Sequence, residues 1–102
     1  MNYVDPSDVK SPKDYIKNVE VLYNGKEDSF SIAKLDWKND KETYAIRWNV
    51  SMREKADSEK SKGNKRCVGM PSSHGLPVWF VLPDEFSMHI QAVLNLLNAK
   101  SK

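Results

Sequence analysis

The chain has 102 residues, 29% of them charged and 39% hydrophobic, with 16 Lys plus Arg against 14 Asp plus Glu. That length holds one small domain with a limited core, so oligomerisation would add apolar burial, and the near balance of charge rests any argument for a polyanion partner on local distribution. The single cysteine, Cys67, excludes an internal disulfide; no Cys/His cluster has zinc-site spacing, and no apolar run approaches the roughly 20 residues of a membrane span. Because MNYVDPSDVKSPKDY lacks an apolar h-region, the chain reads as cytoplasmic.

Residues 1–17 carry Pro6, Pro12 and scattered apolar residues, which reads as an irregular N-terminal arm outside the core of a single β-β-β-β-α domain over residues 18–102. Val19, Val21 and Tyr23 alternate with Glu20 and Leu22 before the turn signal Asn24-Gly25, predicting a first strand. SFSIAKLDW (29–37) and ETYAIRWNVS (42–51) predict a hairpin closed at Asn39-Asp40. In its second strand Tyr44, Ile46, Trp48 and Val50 share one face while Thr43, Ala45, Arg47 and Asn49 share the other, the pattern of a sheet covered on one side, with Arg47 displayed on the open side.

Residues 52–66 hold six cations (Arg53, Lys55, Lys60, Lys62, Lys65, Arg66) against Glu54, Asp57 and Glu59, a local charge of +3. Without an apolar stripe such a segment does not offset its ordering entropy by burial, so residues 52–77, ending in the turn-rich MPSSHGLP, read as a basic mobile loop. VWFVL (78–82) predicts a fourth strand, and Pro83-Asp84-Glu85 opens a helix whose apolar stripe is Phe86, Ile90, Val93, Leu94 and Leu97. The expected fold is α+β: a twisted four-stranded antiparallel sheet followed by one C-terminal helix lying on it. A dimer is expected, because that stripe plus Leu96 exceeds what one sheet face consumes.

This order, together with Trp37, Tyr44-Ala45-Ile46-Arg47-Trp48, Lys60-Ser61-Lys62-Gly63 and Val81-Leu82-Pro83-Asp84-Glu85-Phe86, resembles the family of the transcriptional positive cofactor four and its small bacterial single-stranded-DNA-binding relatives, over roughly residues 19–97. The resemblance implies a homodimer through the C-terminal helix, nucleoid-associated if bacterial, that grips single strands on the opposite sheet face. It carries Arg47 over as a backbone or base contact, with Lys34 and Trp37 on the second strand and Lys60 and Lys62 on the loop; Lys65 and Arg66 extend the same basic run.

The chemistry fits that reading. Single-strand binding needs cations for phosphates and flat rings for bases, each stacked base contributing about 1–3 kcal/mol. Each residue also has a plainer role open to it. Arg47 can form a cross-strand salt bridge to an acid such as Asp36, Trp37 can pack at the core edge, and the charged loop can be solvated surface. Trp48, Trp79 and Tyr44 read as core. His74, His89 and Ser72-Ser73 form no nucleophile-base arrangement, Cys67 reads as an ordinary thiol, and the four glycines make no phosphate loop, so neither an enzyme nor a cofactor is expected. The function expected is non-catalytic binding of single-stranded DNA or RNA, DNA-leaning, in transcription, replication or repair. The alternative is a protein-protein interaction module without nucleic-acid affinity.

Overall fold

β-Branched and aromatic residues build three long strands, β1 (Ile16–Asn24), β2 (Phe30–Trp37) and β3 (Lys41–Trp48). The computed structural model describes residues 1–38 and 41–100, so the expected Asn39-Asp40 turn and the terminal Ser101 and Lys102 lie outside the described residues. After β3 come two short helices, α1 (Met52–Ala56) and α2 (Ser58–Ser61), then a two-residue-strand hairpin of β4 (Ser72–Ser73) and β5 (Leu76–Pro77). His74 and Gly75 at its tip both have positive φ, 52° and 80°, which suits the twist of a two-residue hairpin turn. β6 (Phe80–Val81) and, after a 3-10 turn over Asp84–Phe86, α3 (Ser87–Lys100) complete the chain. The main sheet is four-stranded and antiparallel, as expected; its strands lie in the order β1-β2-β3-β6, and the fourth is shorter than VWFVL suggested.

α3 lies on one face of this sheet. Ile32, Tyr44, Leu82 and Leu94 form a buried cluster there, flanked by Ile46, Ile90 and Leu97. The other face, expected to be open, is covered. Val4, Val9 and Ile16 pack with Ala33, Leu35, Ala45 and Trp79 into a second buried cluster. The N-terminal arm is therefore part of the core, contrary to its sequence pattern. Asp5 caps a 3-10 turn that begins at Pro6, the Trp79 indole N–H donates to the Val9 carbonyl at 2.7 Å, and residues 2–4 exchange backbone bonds with Cys67. The sheet is thus the middle layer of three, and burial of Trp79 depends on the arm.

Trp79→Ala removes a large buried ring and leaves the Val9 carbonyl without its donor, at an expected cost of about 3–5 kcal/mol in urea unfolding. A loss well under 1 kcal/mol would show that the arm does not pack as described.

Candidate functional site: a buried polar latch and an apolar groove

Ser51 ends the β3 extension in extended backbone and caps α1: its hydroxyl accepts from the Glu54 amide while the Glu54 carboxylate accepts from the Ser51 amide. That carboxylate is 5% exposed and does more than cap. It accepts from the amides of Val68 (2.7 Å) and Gly69 (2.9 Å) and from the Lys60 ammonium (3.1 Å). Burial alone would push its pKa up, but the donors from Ser51, Val68, Lys60 and Gly69 outweigh it and hold the group at about 2. Asp57 caps α2 through the Glu59 and Lys60 amides. Residues 52–77 are consequently not an unstructured loop, and Lys60 is drawn to the latch.

Arg47 is a second correction. It is 3% exposed, and its guanidinium donates to the carbonyls of Val68 and Val78, so it neither faces solvent nor pairs with Asp36. Its Nε is buried with no hydrogen-bond partner among the described residues. Burial lowers its pKa to about 10, with Glu54 opposing the shift. Gly69 has φ +72°, and a Cβ there would sit 2.1 Å from the Trp48 carbonyl and 2.5 Å from Arg47 Nη2. Only glycine lets the strand after the latch come this close.

The expected nucleic-acid residues do not converge. Trp37 packs at the edge of the arm-side core against Tyr15, ring centroids 5.8 Å apart, with Lys38 5.4 Å from the Trp37 ring. Lys34 lies on the helix side, bound to Glu42 at 3.2 Å and 5.8 Å from the centre of the Tyr44 ring. Register pairs Trp37 with Lys41 and Ser31 with Arg47, so Trp37 and Arg47 stand six residues, about 20 Å, apart along the hairpin. Lys62, Lys65 and Arg66 are exposed beyond α2, at the Arg47 end. Cys67 is fully buried, and burial pushes its thiol pKa up.

A different feature dominates the helix side. α3 covers the Tyr44–Leu82 half of the sheet and leaves the other half as an open apolar groove of about 470 Å³. Its floor is Phe30, Ile32, Ile46 and Trp48; Ile90 and Val93 form one wall, and Met70, Pro71 and Phe80 the other. Trp48, expected in the core, is 53% exposed and meets Phe30 edge-on at 5.8 Å. Phe80 and Met70 are 56% and 53% exposed. The latch sets this edge: Gly69, held by Glu54, leads into Met70, which exchanges both backbone hydrogen bonds with Trp48 at 2.7 and 3.1 Å.

Two signals for these residues stood in the sequence. Ser51-Met52-Arg53-Glu54 has the S-x-x-E spacing of a capping box. Phe30, Ile32, Tyr44, Ile46, Trp48 and Phe80 are more apolar residues on one face than a single helix stripe covers. Comparison with family models, curated proteins and solved structures finds no match for the chain.

Because the folded pKa of Glu54 lies below its ordinary 4.5, the ionised group contributes stability at neutral pH that is lost as pH falls from about 4.5 toward about 2, on the order of 3 kcal/mol. Urea unfolding should weaken across that acid window in the native chain. Glu54→Gln should be less stable at pH 7 and show a shallower acid decline; an unchanged decline would remove Glu54 from this role.

Proposed function

We propose that this chain is a non-catalytic protein-interaction module whose working surface is the apolar groove between α3 and the β2-β3-β6 half of the sheet. The observation that carries this reading is the exposure of Trp48, Phe80 and Met70 side by side over a groove that the chain's own helix leaves unfilled. Contiguous exposed apolar surface of this kind marks an interaction site more often than scattered single residues do. The single-strand reading drew on Lys34, Trp37, Arg47, Lys60, Lys62, Lys65 and Arg66, and the contacts of four of them favour the interaction module instead: the Arg47 guanidinium is buried, the Lys34 and Lys60 ammonium groups are ion-paired, and Trp37 packs at the core edge.

Homodimerisation through α3 belongs to the same proposal. Met88, Ala92 and Leu96 recur every four residues on the exposed side of α3, with Met88 81% and Leu96 58% exposed, and two such ridges would bury each other. One observation keeps a second reading in play. Arg53, Lys55, Lys62, Lys65 and Arg66 are exposed and carry no ion pair among the described residues, which suits phosphate neutralisation on single-stranded nucleic acid.

An apolar dye, anilinonaphthalene sulfonate, should brighten on the native chain and several-fold less on a Trp48→Ser/Phe80→Ser double variant, while labelled oligo-dT at low salt shows no anisotropy change. A dark native chain would end the groove reading. Salt-steep oligo-dT binding abolished by Lys62→Glu/Lys65→Glu/Arg66→Glu would put the nucleic-acid reading in its place. Sedimentation should find a dimer that Leu96→Glu converts to monomer; a native monomer would end the helix-ridge dimer.

A further inference from the structure

The chemistry of the groove restricts what can fill it. Of its ten lining residues Arg47 alone is charged, with its guanidinium bonded to Val68 and Val78, away from Ile46 and Trp48 on the neighbouring strand positions, and the Trp48 indole N–H is the other strong side-chain donor. A segment laid into such a groove finds one side-chain donor, the Trp48 indole N–H, for a peptide carbonyl and no strong side-chain acceptor for its N–H groups, and an unsatisfied buried amide is costly. An extended peptide would need a sheet edge, and the adjoining edge strand, β6, offers only Phe80 and Val81. The occupant must therefore satisfy its backbone internally, which an α-helix does.

Charge narrows the choice further. The Met70 end of the groove joins the basic segment directly, since Gly69, the residue before Met70, is hydrogen-bonded to Glu54 on α1. Glu54 and Lys60 neutralise each other inside the latch, and five exposed cations (Arg53, Lys55, Lys62, Lys65, Arg66) remain against Asp57 and Glu59. Asp57 is already occupied as the α2 cap, and Glu59 accepts from Asn64. The rim at this end is positive.

We infer that the groove receives an amphipathic helix of another protein, its apolar face on Trp48, Ile46 and Phe80 and its acidic residues toward the Arg53–Arg66 segment. This rests on the interaction-module reading and names the partner for that site. A second copy of this chain fits less well in the same place: the long helix among its described residues, Ser87–Lys100, contains no Asp or Glu, so the basic rim would meet no opposite charge on it.

The test is selection of a random peptide library displayed on phage against the native chain, with the Trp48→Ser/Phe80→Ser double variant as counter-selection. The result expected is enrichment of acidic peptides with apolar residues at helical spacing. Synthesised, they should gain helical circular dichroism on binding, lose at least tenfold in affinity on the double variant, and weaken several-fold on Arg53→Glu/Lys55→Glu and with added salt. Enrichment of extended, proline-rich or basic sequences would overturn the inference, as would groove-dependent peptides that ignore salt and the charge reversals. So would the absence of any groove-dependent peptide. Bright dye binding in that last case leaves the groove itself intact, whereas a dark native chain removes both readings. A sedimenting dimer that dissociates with Phe80→Ser but not with Leu96→Glu would assign the groove to a second copy and overturn the inference as well.

Discussion

A single buried carboxylate organises the part of this molecule that carries its functional surface. Glu54 accepts three backbone amides and one ammonium, and through them it ties α1 to the Val68-Gly69 segment. Those contacts resolve an energetic difficulty. Residues 52–66 have too little apolar surface to order themselves by burial, and a charge-assisted network supplies the order instead. The arrangement extends to Arg47, which takes the Val68 carbonyl while Glu54 takes the Val68 amide. Two opposite charges thus hold one peptide segment from both sides. A buried carboxylate stays ionised here because its donors more than offset its desolvation.

What the latch positions is backbone, and backbone positions the groove. Gly69 passes close against the Trp48 carbonyl, and Met70 then pairs with Trp48 as a further rung beside β3. This places Met70 and Pro71 opposite α3 rather than over it, and the apolar floor between them stays uncovered. The two faces of the sheet differ for the same reason of supply. The N-terminal arm and Trp79 cover the Ala33–Ala45 face closely, while among the described residues α3 is the only element on the other and spans half of it. An apolar remainder on the helix side is the outcome.

The cations distribute around this framework instead of forming one cleft. Arg47 spends its charge inside, Lys60 on the latch, Lys34 on Glu42 and Lys41 on Asp84. The cations left exposed on residues 53–66 border the Met70 end of the groove, where charge and apolar surface meet. The Tyr15–Trp37–Lys38 cluster stands at the far end of the hairpin and shares no element with them.

Local periodicity in the sequence determined the three long strands, the antiparallel hairpin of β2 and β3, the position of α3 and the face on which Tyr44, Ile46 and Trp48 lie, because side-chain alternation and helical spacing are properties of neighbours along the chain. Only tertiary structure decided which face was covered and by what. Val4, Val9 and Ile16 have no common period, so nothing local marks them as core; they become core by meeting Trp79, some seventy residues away. Arg47 alternates correctly onto the face opposite Ile46, yet whether that face is wet depends on the arm and the Val68–Val78 carbonyls, which arrive from distant segments. The exposure of Trp48 likewise follows from where α3 packs on the sheet. Burial is a property of what comes to lie against a surface, and that is settled between segments rather than within them.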